Sequence, residues 1–257
     1  MPVVFFGHGS PMNALGGPHA DAWRALGREL PRPEAILMVS AHWETQGTHV
    51  TAHLAPPTIH DYRGFPPALS AIQYPAPGSP ELAERVRALP GLEDVLPDYR
   101  WGLDHGTWSM LVHAYPRADV PVVQLSLDRA LSPRGHYLLA RALRPLRDEG
   151  VLIAGSGDIV HNLRAMRRDG SDEPFDWALR FDAAVKAALA EGDHERLIGL
   201  AEPEGIGGED ARLAADEHYL PLLYVAAQQD PGEPVRFFNE AIDLGSVSMT
   251  GVVVGNA

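Results

Sequence analysis

Apolar and polar positions fall in blocks along this chain. Residues 3–6, 35–41, 120–127 and 151–154 are short, largely apolar runs, interrupted only at Ser40, Gln124 and Ser126. Both faces of such a run are suited to burial, so each reads as a strand inside a sheet covered on both sides. Residues 48–52 read as a short neighbouring strand and 246–254 as a final one. Segments of helical period lie between them. Residues 21–30 are stopped by Pro31 and Pro33, and 79–89 open with a capping serine and a proline in the first turn. Residues 108–115, 134–148, 177–191, 193–201 and 211–228 complete the predicted helices, and 59–67, 74–80, 102–107 and 205–209 read as loops. Strands alternating with helices predict an α/β fold: a central, largely parallel or mixed sheet with helices on both faces. With 257 residues and 45% hydrophobic content, the chain can build one sizeable core, and residues 1–257 are expected to form a single domain.

Composition narrows the partners. Thirty-four acidic residues against 21 basic ones give a formal charge of -13, which disfavours nucleic acid. No apolar stretch approaches the roughly 20 residues that span a bilayer, so no membrane partner is expected. The N-terminus has neither a basic leader region nor a long apolar run, and residues 3–6 read instead as a first strand. The absence of cysteine removes disulfides, thiolate ligands and thiol nucleophiles, and is compatible with a cytoplasmic location, the expectation here. A homo-oligomer is compatible with all of this.

The chemistry must then come from imidazole and carboxylate. His8 follows the first strand between Gly7 and Gly9, His42 closes the second between Ala41 and Trp43, and His161 follows Gly155-Ser156-Gly157. Ligands in α/β folds gather beyond the carboxyl ends of strands, and all three positions meet that condition. His218 sits on the predicted apolar helix beside Glu217; neighbours on a helix point about 100° apart, so one of the two can serve an ion, not both. His105 lies in a loop between Trp101 and Trp108, and His60 stands beside Asp61-Tyr62. Each of these, taken alone, also reads as a hydrogen-bonded structural histidine. No His-Glu-x-x-His, phosphate-binding loop or serine nucleophile elbow is present, and the third glycine of a dinucleotide fingerprint is missing after Gly157.

Several short strings occur together and in order: His8-Gly9-Ser10-Pro11, Ser40-Ala41-His42-Trp43, Tyr62-Arg63-Gly64-Phe65-Pro66, Tyr74-Pro75-Ala76-Pro77-Gly78, Gly102-Leu103-Asp104-His105-Gly106, His161-Asn162-Leu163 and His218-Tyr219-Leu220-Pro221. In this the chain resembles the class III extradiol ring-cleaving dioxygenases, most closely their DOPA 4,5-dioxygenase branch. The resemblance implies one divalent metal held by His8, His42 and His218, with His161 either a fourth ligand or an acid–base group, and His105 near the substrate. It implies Fe(II) for activity, with Zn(II) suited to the same donors. It further implies a catechol and O2 as co-substrates, both oxygen atoms entering the ring beside the diol. Trp43, Tyr62, Phe65, Trp101 and Trp108 are candidates for flanking a flat ring. Two other classes use the same histidines: a Zn-dependent hydrolase, and a metal-binding protein without catalysis.

Overall fold

The computed structural model describes residues 1–202 and 205–256. Its strands are β1 (Val3–Gly7), β2 (Ala35–Thr45), β3 (His49–Thr51), β4 (Leu96–Asp98), β5 (Val122–Asp128), β6 (Val151–Gly157), β7 (Val235–Phe238), β8 (Ile242–Asp243), β9 (Val247–Ser248) and β10 (Gly251–Val254). Eight of them form one sheet in the order β4-β3-β5-β2-β6-β1-β10-β7, and β8 pairs with β9 apart from it. The four central strands, β5, β2, β6 and β1, run parallel, whereas β10 and β7 are antiparallel additions at one edge. The sheet is mixed, with a parallel centre.

Alternation along the strands sends side chains into two apolar cores. Val3, Phe5, Leu37, Val39 and Ile153 enter one core; Val4, Phe6, Ile36, Met38 and Leu152 enter the other. The second face is covered by α1 (Pro18–Glu29) and α4 (His105–Ala114). The first is covered by α3 (Pro80–Arg87), α5 (Pro133–Ala142), α6 (Pro145–Asp148), α7 (Asp176–Glu191), α8 (His194–Ala201), α9 (Gly208–Ala214) and α10 (Leu220–Ala226). A four-residue helix, α2 (Pro67–Ser70), interrupts the proline-rich segment after β3. No described helix is long and apolar enough to cross a membrane.

Where the elements depart from expectation, the causes are local. The predicted helix over 134–148 is divided into α5 and α6, because Pro145 carries no amide hydrogen to continue the first. The predicted helix over 211–228 is broken between α9 and α10. Asp216 there is extended, and its carboxylate accepts the His218 N–H at 2.8 Å to start a short 3-10 turn over 217–219. His218 therefore sits on that turn, not on a long apolar helix. The final strand is divided into β9 and β10. Strands β4 and β7 carry proline or arginine on exposed edges and lack the apolar run that marks central strands.

Buried His136 on α5 has Nδ1 2.9 Å from the Tyr224 hydroxyl. Burial pushes its pKa down from 6.5 to about 4, with Asp128 opposing. The native state thus keeps this ring neutral while the unfolded chain protonates it near 6.5. Its contribution is complete above that value and is lost as pH falls toward 4, and a depression of this size corresponds to roughly 3 kcal/mol. Urea titrations at about pH 7 and about pH 4.5 are expected to show the wild type losing more stability than a His136→Gln variant, by on the order of 1–3 kcal/mol.

Candidate active site

The carboxyl ends of β1, β2 and β6 meet the turn that carries His218. The His8 N–H donates to the Gly157 carbonyl at 3.0 Å, and the Asp158 N–H donates to the His218 carbonyl at the same distance. This approach requires glycine at 157, since a Cβ there would lie 2.0 Å from the His218 carbonyl oxygen. Gly9 turns the chain away with φ of +53°, and its N–H donates to Asp158 Oδ1 at 3.0 Å. His42 lies past an irregularity in the pairing of β2 with β5, between Val39 and Glu44, so its strand continues to Thr45 rather than ending at the histidine. His105 is the first residue of α4 rather than a loop residue, and its N–H donates to Asp61 Oδ1 at 2.9 Å.

Three imidazoles converge. The ring centroids of His8, His42 and His218 stand 4.9, 5.3 and 5.0 Å apart, a nearly equilateral triangle, and one nitrogen from each lies within 4.8 Å of the others. His8 Nε2 and His42 Nε2 are 3.1 Å apart. The hydrogen-bond network fixes the tautomer of His8. The Ser156 hydroxyl donates to the Gly106 carbonyl, so its oxygen accepts from His8 Nδ1–H at 2.9 Å and leaves the Nε2 lone pair free. His218 turns Nδ1 toward Asp216 and Glu217, at 3.3 and 3.4 Å. The His105 ring lies 3.9 Å from that of His42, and its Nδ1 is 2.9 Å from Asp61 Oδ1. His161 stacks flat on His218, at 3.5 Å and 16°, and its Nδ1 meets Asp216 Oδ2 at 2.7 Å.

Electrostatics favour a cation at the centre of this triangle. Burial, then the neighbouring histidines, hold the His8 pKa well below its usual value. His42 is lowered by burial and then by His105. Both rings are therefore neutral and offer lone pairs. Burial opposes charge on His218, yet Asp216 and Glu217 prevail and raise it to about 10. Burial raises Asp158 to about 7, with His161 and His218 opposing. Among the described residues, Asp158 Oδ2 is buried without a hydrogen-bond partner, and it lies 3.8 Å from His8 Nε2. The neutral rings of His8 and His42, with His218 free to exchange its proton for a metal and with Asp61, Asp158, Asp216 and Glu217 around them, form a donor set that fits one divalent cation of the zinc or non-haem iron type.

A buried network holds the rings from behind. Asp104 accepts from the Ser40 hydroxyl at 2.9 Å, from Gln124 Nε2 at 2.7 Å and from Trp101 Nε1 at 3.2 Å. The Ser40 oxygen in turn accepts the His42 N–H at 3.2 Å. The sequence pattern pointed to the histidines but not to the support given by Asp61, Asp104, Asp158, Asp216, Ser40 and Ser156. Asp104, Ser40 and Asp216 stand one or two residues from a site histidine in the chain, whereas Asp61, Asp158 and Ser156 have no such adjacency and are brought in by the fold. His60 stays outside the cluster, its Nε2 bonded to the Ile72 carbonyl at 2.9 Å. Among the aromatic residues, Tyr62 stands 5.6 Å from the His105 ring with Phe65 against it, while Trp43 and Trp101 stack on each other and buried Trp108 donates to the Ile59 carbonyl.

Comparison with known proteins places this geometry in context. Residues 7–227 match the family described as the catalytic LigB subunit of aromatic ring-opening dioxygenase. The chain is 46% identical to a 4,5-DOPA dioxygenase extradiol of Escherichia coli K12, over 99% of this chain and 95% of that protein. It is 42% identical to a 4,5-DOPA dioxygenase extradiol of Beta vulgaris, over 96% and 93% respectively. The crystal structure of an uncharacterized protein from Escherichia coli K12 superposes with a TM-score of 0.85 at 41% identity, covering 99% of this chain and all of that one.

Proposed function

This chain belongs to the LigB family of aromatic ring-opening dioxygenases and is an extradiol ring-cleaving enzyme, and from that premise we propose that it is metal-dependent and acts on a catecholic, DOPA-like ring. The observation that carries this reading is the triangle of His8, His42 and His218 rings, centroids about 5 Å apart, backed by carboxylates. These three residues would hold one divalent cation. Fe(II), when bound, supplies both Lewis acidity toward the catechol hydroxyls and the redox capacity that O2 requires, and Zn(II) supplies only the first.

The remaining roles fall to the chain itself. His161 lies parallel to His218 at stacking distance, so the in-plane lone pairs of the two rings do not converge on one point. That supports an acid–base role for His161 over a fourth-ligand role. With Nδ1 on Asp216, Nε2 is the nitrogen free to take a proton from a catechol hydroxyl and return it. His105, anchored at the start of buried α4 by Asp61, offers a second polar group beside the substrate. Tyr62, with Phe65 set edge-on against it, supplies an aromatic surface for the substrate ring.

The test is anaerobic loading with Fe(II), followed by a panel of catechols and O2. Equimolar O2 uptake and a yellow ring-opened product are expected from the iron form, and no O2 uptake from the zinc form. Ester or amide turnover by the zinc form, with the iron form inert toward every catechol, would replace this reading with a hydrolase.

A further inference from the structure

We propose that Asp216 is a positioning residue that sets the orientation and tautomer of His161, presenting Nε2 as the working nitrogen. This rests on the acid–base reading of His161 given above. Both oxygens of the Asp216 carboxylate are committed: Oδ2 faces His161 Nδ1 at 2.7 Å, and Oδ1 accepts the His218 backbone N–H at 2.8 Å. One side chain thus clamps both members of the stacked pair, whose rings are 3.5 Å apart.

The backbone around His161 is held independently. Its N–H donates to the Ala214 carbonyl at 2.9 Å, Asn162 Nδ2 donates to the Leu213 carbonyl at 2.8 Å, and the Ser248 N–H donates to the Val160 carbonyl at 2.8 Å. Asp216 is therefore not needed to place the His161 backbone; what it governs is the ring. A carboxylate can only accept, so the proton of the neutral imidazole resides on Nδ1 and the lone pair on Nε2.

Asp216→Asn inverts this arrangement by a forced sequence. The His218 N–H is an obligate donor and takes the amide oxygen. The amide NH2 then faces His161 Nδ1, which must accept, and the ring proton moves to Nε2. The substitution keeps size and shape, so the backbone ties above survive it. The Asp216→Glu variant remains an acceptor and retains the original tautomer.

The experiment uses protein carrying zinc, which is diamagnetic, with 15N-labelled histidine for nitrogen chemical shifts, and protein carrying Fe(II) for kinetics. The wild type and Asp216→Glu are expected to show His161 protonated on Nδ1, and Asp216→Asn to show it on Nε2. Asp216→Asn is expected to retain zinc at one equivalent, to leave KM within about threefold and to lower kcat by about 10²–10⁴, the range for general acid–base groups. An unchanged His161 tautomer in Asp216→Asn overturns the proposal, as does loss of zinc, which would make Asp216 a support of the metal ligands. If the wild-type iron form cleaves no catechol, the functional reading fails, while the nitrogen shifts still decide what Asp216 does to His161.

Discussion

Replacing His42 with alanine is expected to remove the bound metal and, with it, ring cleavage. His42 contributes one corner of a triangle whose other corners are His8 and His218, and its Nε2 stands 3.1 Å from that of His8. Its side chain is 21% exposed, against 2% for His8, so its removal leaves a water-accessible gap rather than a dry cavity in the core. That makes His42 the cleaner test, because the fold should survive. Losing an outer-shell partner of a metal ligand already costs about 10–100-fold in affinity, and losing the ligand itself should cost at least the upper end of that range. Metal content after dialysis should fall from one equivalent to near zero. With Fe(II) restored only at saturating excess, turnover should remain reduced by on the order of 10³, the worth of several kcal/mol of charge stabilisation. Retention of one tight equivalent of metal by His42→Ala would remove this residue from the site.

Replacing His161 with phenylalanine is expected to separate binding from chemistry. Phenylalanine preserves a flat ring against His218 while deleting both nitrogens. Asp216 loses its partner Nδ1, but its side chain is 34% exposed and water can satisfy the freed oxygen. The metal should therefore stay. Turnover should fall by about 10²–10⁴, the usual contribution of a positioned acid–base group. Two measurements on one sample, metal content and kcat, check the prediction. A variant that loses its metal would instead make His161 a ligand, the alternative that the sequence alone left open.

The parallel centre of the sheet was legible because burial on both faces demands near-continuous apolar runs, and residues 3–6, 35–41, 120–127 and 151–154 supply them with only Ser40, Gln124 and Ser126 as polar members. The edge strands β4 and β7 carry no such run, and the sequence pattern assigns residues 96–98 and 235–238 to no element. The histidines at strand ends were visible through their glycine neighbours and through the resemblance to a known family. The carboxylates that orient them were not, since nothing in Asp216 or Asp158 as residues says which oxygen will meet which nitrogen. That depends on β6 packing against the turn at 217–219, a contact between segments some 60 residues apart, which local pattern does not encode. Asp216 also broke the helix expected over 211–228, so the residue that defeated the secondary-structure reading is the one that braces the site.

The imidazoles occupy strand ends and a turn braced by the sheet, but Asp61, Tyr62 and Phe65 come from the proline-rich segment between β3 and α3, whose regular structure is limited to the four residues of α2. The aromatic side chains beside the site and the converging imidazoles thus come from separate parts of the polypeptide. On the proposed reading, exchanges at Tyr62 and Phe65 would reshape which ring fits while the metal donors stay in place, and descendants of this scaffold could diversify in diet while conserving their reaction, with Asp61, in the same segment, tied to both.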